Sequence, residues 1–435
     1  MISGGLVVTM DAAGTIYDPG FVALRGNRIT AVGPASDAPE VVDANQVDAA
    51  GRWILPGLIN GHQHAAMALF RGVADDLALM DWLENYIFPA EAENVTPEFV
   101  YWGTKLSLAE MLLNGTTTYS DMYYFEGKVA EATAEAGMRG VLGQTIIGFK
   151  APDYATPEEA LEGTADFVKQ WKDHPLVTPA VAPHAPYTCS PEVLKAAREL
   201  SDRLEVPLLI HLAETESEVE QIRKQHGTTP VRFLQEIGFL SPRMTGFHVV
   251  WIDDEEMREM ARVGAGAIHN PDSNMKLASG VAPVTAWIKA GMDAGIGTDG
   301  PASNNNLDLF EEMRSAALLQ KLTRKDPRAL DARTVLEMAT RRGAAALHME
   351  DQIGSLEAGK KADLILVDPS RPAGVPAYHP YSALVYSLRG NSVHSVMIDG
   401  RWVVRNRTLL TLDWEKIQEK AAHYRRQVSA SVKKD

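Results

Sequence analysis

The chain is built on a rhythm of short apolar runs, and several of those runs end on a histidine or an aspartate. Eight strand-like segments, 53–59, 116–120, 140–147, 177–182, 207–210, 244–249, 265–269 and 293–297, alternate with segments of helical pattern. Strands covered on both faces read as nearly continuous apolar stretches, and this is how buried parallel strands are written. Eight of them with intervening helices predict a (β/α)8, TIM-like barrel of α/β class. The helical segments carry their own start signals. Ser190 precedes Pro191 at the head of 191–204, so a hydroxyl cap is followed by a proline whose missing N–H costs nothing. Segments 216–225 and 253–263 read the same way.

The two ends have a different texture. Phe21 to Leu24, the turn Arg25-Gly26-Asn27-Arg28, and Ile29 to Val32 form a hairpin pattern. Near the C-terminus, 362–368, 392–398 and 401–405 repeat it, with Asp399-Gly400 as a turn whose residues tolerate positive φ. Both ends are therefore expected to meet in one small β-sandwich. The expected division is residues 1–52 as its first part, 53–352 as the barrel, and 353–435 as its second part with a charged amphipathic helix over 414–428.

The 57 acidic residues against 42 basic ones, a formal net charge of -15, argue against nucleic acid, whose phosphates need a basic face. The same sign is unhelpful at an anionic membrane, and no stretch is apolar and long enough to span one. Neither point excludes a small nucleoside held by pocket contacts. Cys189 is the only cysteine, so no internal disulfide can form. Without a signal peptide, the expected setting is the cytoplasm. The expected partner is a small-molecule substrate, and the expected assembly is a homo-oligomer.

His62 and His64 stand two apart at the end of the first strand, so both imidazoles leave one face together. His211 closes the fifth strand and Asp299 follows the eighth. Three neutral imidazoles and a carboxylate suit one Zn²⁺, with Fe²⁺ as the rival. A single histidine of this kind is ordinarily a hydrogen-bonded structural residue; the set of four in barrel order is what argues for metal. The fourth strand, 177–182, has no lysine to bridge a second ion. One cysteine also excludes the Cys-rich zinc-deaminase signature. Glu214, three residues after His211, would sit over the ion and pass a proton to a ring nitrogen, unless it is only a capping or solvated glutamate. His248, after the sixth strand, is either a ligand or the group that orients water and stabilises developing charge, and four other ligands favour the second role. Asp299 could also accept the water's proton. The turn Asn270-Pro271-Asp272-Ser273-Asn274 either shapes the pocket wall or is structural.

These motifs carry a resemblance. Pro56-Gly57-Leu58-Ile59-Asn60-Gly61-His62-Gln63-His64, Pro183-His184-Ala185-Pro186-Tyr187, His211-Leu212-Ala213-Glu214, His269-Asn270-Pro271-Asp272-Ser273-Asn274 and Gly297-Thr298-Asp299-Gly300 together resemble the amidohydrolase superfamily. Within it the chain is similar to methylthioadenosine/S-adenosylhomocysteine deaminases and to triazine hydrolases, over nearly its whole length. The resemblance implies hydrolytic deamination of an adenine nucleoside: attack at C6, protonation of N1 by Glu214, and proton and charge handling by Asp299 and His248. It also implies His184 as a substrate contact and Glu91 as the carboxylate that holds ribose hydroxyls. Two departures stand out. Gln63 occupies a place where the deaminases usually carry threonine, and Gln144 lies where an arginine would bind the homocysteine carboxylate. The second shifts the expected substrate towards methylthioadenosine, 5′-deoxyadenosine or adenosine. The alternatives are a hydrolase of another heteroaromatic ring, such as a triazine or guanine, and a scaffold protein that keeps the fold without the chemistry.

Overall fold

In the computed structural model, residues 1–40 and 45–431 are described. Eight parallel strands run in chain order around a barrel: Leu58–Gln63, Thr116–Tyr123, Arg139–Ile146, Val177–Pro183, Leu208–Leu212, Met244–His248, Gly266–His269 and Asp293–Ile296. Their inward side chains, among them Ile59, Val141, Ala180, Leu209, Phe247 and Ile268, fill the barrel as a packed core. The first and last strands meet tightly. Asp299 N–H donates to the His62 carbonyl at 2.9 Å. A Cβ on Gly297 would stand 2.7 Å from the His62 nitrogen, so only glycine lets the barrel close here.

The helices follow the start signals written in the chain. Ser190 Oγ accepts from Val193 N–H at the head of Pro191–Leu204. Asp253 caps Asp254–Val263 in a reciprocal box with Glu256.

The first expected strand, 53–59, is in fact two. Trp53–Pro56 belongs to the other sheet, lying parallel to Ile2–Val8 and antiparallel to Leu364–Val367. After Gly57 the chain enters the barrel, and Leu58 N–H donates to the Gly115 carbonyl at 3.1 Å. The break was invisible because both halves are buried and equally apolar. Gly57 permits it, since a Cβ there would stand 2.0 Å from Thr117 Oγ1.

The chain ends form one nine-stranded ladder. It curls until Ile29 N–H reaches the Lys360 carbonyl and Ala362 N–H the Asn27 carbonyl, both at 2.9 Å. The two halves of the curl thus enclose a core of their own, with Ile2, Val22, Ile29, Ile54, Leu364 and Met397. Arg139, at the foot of the third barrel strand, bridges to this sheet through Asp363, at 2.7 and 3.1 Å. Both side chains are buried. The C-terminal helix Trp414–Ser431 packs back with Ile417, Tyr424 and Val428, and the Tyr424 ring lies 5.2 Å from that of Phe99. Among the described residues no helix is long and apolar enough to cross a membrane.

Candidate metal centre and pocket

All four expected ligands converge at the C-terminal mouth of the barrel. Asp299 Oδ1 lies 3.2 Å from His62 Nε2 and 3.4 Å from His64 Nε2. His211 Nε2 lies 3.3 Å from His64 Nε2. Ligand atoms arranged tetrahedrally at zinc bond lengths stand about 3.3 Å apart.

The hydrogen bonds around the rings explain why a cation belongs there. His64 Nδ1 faces the Met122 carbonyl at 2.6 Å, and His211 Nδ1 faces the His184 carbonyl at 2.9 Å. A carbonyl only accepts, so each Nδ1 carries the proton and each neutral ring turns a lone pair inward at Nε2. Burial keeps these rings neutral: it lowers the affinity of His64 for a proton, pushes His211 well below the ordinary range, and takes His62 down to about 3. Two lone pairs facing each other at 3.3 Å repel unless a cation lies between them. His62 is fully buried, stacked on Phe247 with ring centroids 3.8 Å apart, and neither of its nitrogens has a partner in hydrogen-bond geometry. Burial alone would raise the Asp299 carboxyl, but the net shift is well downward, with the upward-shifted His248 among the groups that draw it. The donor set therefore fits one divalent ion. Among the described residues, the groups of three or more such donors are His62–His64–His211 and His62–His248–Asp299, two overlapping sets at this one place.

The two residues expected to handle protons and charge, Glu214 and His248, stand beside it. His248 Nε2 lies 3.7 Å from Glu214 Oε2. Burial raises the Glu214 carboxyl, which favours the protonated form. Burial would lower His248, but Glu214 and Asp299 outweigh it and the net shift is upward. Both His248 and Asp299 have left-handed backbones, at φ 68° and 60°, an uncommon conformation that collects at functional sites.

Several supports were not legible in the sequence. Ser273 Oγ and Ser303 Oγ donate to Asp299 Oδ2 at 2.6 and 2.9 Å. Asn274 Oδ1 lies 2.8 Å from His248 Nδ1, and Ser279 Oγ donates to Glu214 Oε1 at 3.1 Å. The Asn270–Asn274 segment thus orients two site residues from behind, as the start of the helix Pro271–Lys276; it does not line the cavity. Glu218 accepts the N–H groups of Ala213 and Glu214, both at 2.8 Å. Ala213 is left-handed at φ 49°, and its carbonyl takes the N–H groups of Val250 and Trp251 at 3.0 and 2.9 Å. Glu218 therefore fixes the loop of Glu214 to that of His248. A glutamate four residues after Glu214 was the only signal.

A cavity of about 620 Å³, including its open mouth, extends outward from His64, His211 and Asp299. Glu214, His248, His184 and Glu91 all line it. His184 Nδ1 lies 3.0 Å from Thr188 Oγ1, and burial lowers its ring to about 3, so it is neutral. Glu91 sits on the helix Phe88–Asn94, next to the widened turn Leu83–Ile87. It accepts Tyr123 Oη–H at 2.7 Å, and burial pushes its carboxyl up to about 7. Gln144 points away from the cavity, with its amide donating to Asp153 Oδ2 at 2.9 Å.

The sequence profile described as the amidohydrolase family matches residues 53–403. A protein of Syntrophobacter fumaroxidans named 5-methylthioadenosine/S-adenosylhomocysteine deaminase is 48% identical over 429 residues, 98% of each chain. Among solved structures, an adenosine deaminase from Xanthomonas campestris with bound zinc superimposes with a TM-score of 0.97 at 38% identity, covering 99% of this chain and 98% of that one. An atrazine chlorohydrolase from Arthrobacter aurescens complexed with zinc gives 0.89 at 26% identity, covering 97% and 99%.

Proposed function

The chain belongs to the amidohydrolase family, and from that premise we propose that it is a metal-dependent aminohydrolase that deaminates adenine nucleosides. Water replaces the 6-amino group, giving the inosine analogue and ammonia. The observation that carries the reading is the convergence of His62, His64, His211 and Asp299 at one point, with the Glu214–His248 pair beside it. We assign those four as holders of one divalent ion, Zn²⁺ in preference to Fe²⁺ because the donors match a tetrahedral nitrogen and oxygen set. Such an ion supplies Lewis-acid activation of water at neutral pH.

The protein's own groups do the rest. Glu214 is held protonated by burial, so it can give its proton to N1 and leave C6 electron-poor. Asp299, held ionised and fixed by two serine hydroxyls, accepts a proton from the attacking water. His248, drawn towards its charged form, donates to the oxygen developing on C6. The proton on Asp299 then passes to the departing amine, which leaves as ammonia, and the remaining proton on the C6 oxygen returns to Glu214, so the C6 carbonyl forms and both carboxyls regain their starting states. His184 contacts the ring as a neutral imidazole, and Glu91 holds the ribose hydroxyls.

The expected setting is a homo-oligomer in the cytoplasm. Light scattering would measure the self-association. For the activity, the test is ammonia release and the fall in absorbance at the adenine maximum with a nucleoside panel, alongside metal analysis. Stoichiometric zinc with turnover of adenosine or its 5′ analogues is expected. A zinc-loaded protein inert towards every purine nucleoside would refute the proposal.

A further inference from the structure

One buried carboxyl has no place in the chemistry above. Glu312 sits on the helix Leu309–Arg324 with its side chain shut off from solvent. The described residues that line the cavity do not include it. The charged groups facing it are acids, Asp272 and its neighbour Glu311. A buried carboxylate without a cation is costly, so the hydrogen bonds it makes must explain its presence.

Its two oxygens reach two different loops. Oε1 accepts from Asn304 Nδ2, in the loop after the eighth strand. Oε2 accepts from Asp272 N–H at 3.3 Å, in the segment after the seventh. Asp272 is the second residue of the helix Pro271–Lys276, whose first-turn N–H groups have no partner within the helix. Asn270, ahead of that helix, makes no side-chain cap, so Glu312 serves one of those N–H groups from a distant element. The Asp272 and Glu312 carboxyls are also in hydrogen-bond contact, and Ser315, one turn along from Glu312, reaches Asp272 as well. Two carboxylates in contact repel, and burial raises both, Glu312 well above the ordinary range. Glu312 therefore keeps its proton and donates it to Asp272.

The two loops carry the groups that hold the site. The Asn304 amide gives its second hydrogen to the Thr298 carbonyl at 2.7 Å. That carbonyl shares a peptide plane with Asp299 N–H, which donates to the His62 carbonyl at 2.9 Å. Both edges of the plane are thus fixed, and with them the left-handed Asp299 at φ 60°. Ser303, beside Asn304, and Ser273, beside Asp272, both donate to Asp299 Oδ2, and Asn274 meets His248.

We propose that Glu312 is a positioning residue, a buried tie between the segment after the seventh strand and the loop after the eighth that keeps Asp299 and His248 in register with each other. This rests on the aminohydrolase reading, in which those two manage the proton and the charge. A glutamine at 312 preserves the tie, with its carbonyl towards Asn304 and its NH₂ towards the Asp272 carboxylate. A leucine of similar volume cuts it and leaves Asp272 N–H and one Asn304 hydrogen without an acceptor.

The experiment is steady-state kinetics on adenosine with stoichiometric zinc for Glu312→Gln, Glu312→Leu and Asn304→Ala, together with visible spectra of the cobalt-loaded proteins. Glu312→Gln is expected to stay within about threefold of the parental kcat. Glu312→Leu is expected to lose about 10- to 100-fold in kcat with KM within about threefold, because no group that binds substrate is touched. Its cobalt bands should shift, since Asp299 is a ligand, whereas those of Glu312→Gln should match the parent. A role in stability alone would leave the bands of the folded variants unchanged. Asn304→Ala cuts the same tie from the loop side and should show the same split, so it decides the matter if Glu312→Leu does not fold. Parental kcat in either soluble tie-cutting variant would overturn the inference, and so would a glutamine variant as impaired as the leucine one. A parent inert towards every nucleoside would refute the deaminase reading instead, and unshifted cobalt bands in the tie-cutting variants would then refute the tie.

Discussion

Replacing Glu218 by glutamine should slow the reaction although Glu218 lines no part of the cavity. Its carboxylate accepts two backbone N–H groups, of Ala213 and Glu214, each at 2.8 Å. A glutamine has the same shape but one accepting oxygen. Its NH₂ would therefore face one of those N–H groups, donor against donor. Leaving one buried N–H unsatisfied costs about 1–3 kcal/mol. Ala213 is left-handed and has no reason of its own to stay so, and the relaxation of that strain moves Glu214. If the whole cost is expressed in the placement of Glu214, kcat falls about 5- to 150-fold, at 1.36 kcal/mol per factor of ten. Global stability should change much less. Burial pushes the Glu218 carboxyl up to about 7, so a neutral amide is cheaper to bury and offsets part of the lost bond. The assay is steady-state kinetics on adenosine, with zinc content and Tm measured on the same preparation. A variant with parental kcat would refute the positioning argument. So would one whose loss of rate tracked loss of zinc.

Glu214→Gln should retain zinc and lose about 10²–10⁴-fold in kcat, the range for a removed proton donor, as measured by ammonia release. Arg139→Met leaves Asp363 buried without its partner and should cost about 3–5 kcal/mol in denaturant unfolding. The double variant Arg139→Met/Asp363→Leu should recover most of that, and no recovery would mean that the pair does not act as a unit. Glu91 sets a pH dependence. Burial raises its carboxyl from 4.5 to about 7, so the folded protein holds that proton longer than the unfolded chain. The stability linked to it, about 3 kcal/mol at most, is complete below pH 4.5 and is lost as pH rises through 7. Stability curves of Glu91→Gln should lack that downward slope between the two values.

The barrel was legible because its strands are buried on both faces and so are spelled as apolar runs, each stopped by a polar residue. That stop is also what marked His62, His64, His211 and Asp299: a side chain at the C-terminal end of a barrel strand has left the core and faces the mouth. The break at Gly57 was not legible, since Trp53 to Pro56 and Leu58 to Ile59 bury the same kind of surface in different sheets. Nor were Ser273, Asn274, Ser279 and Glu218. Each makes one short polar contact whose partner is chosen by loop geometry, and neither periodicity nor composition records which loop comes near. The segment of Leu79 to Phe88 was equally mute. Its apolar residues line a cavity, but the same residues on a helix facing the core would look alike.

One residue, Gly57, separates the strand that carries His62 from a strand hydrogen-bonded to Leu364–Val367. The small sheet at the chain ends is therefore not an accessory that could be trimmed from a self-sufficient catalytic barrel. Deleting the tail from position 364 onward would strip Trp53–Pro56 of a neighbour and loosen the backbone that aims two imidazoles. An engineer should treat the loops at the mouth as replaceable parts, and both termini as the foundation on which they are mounted.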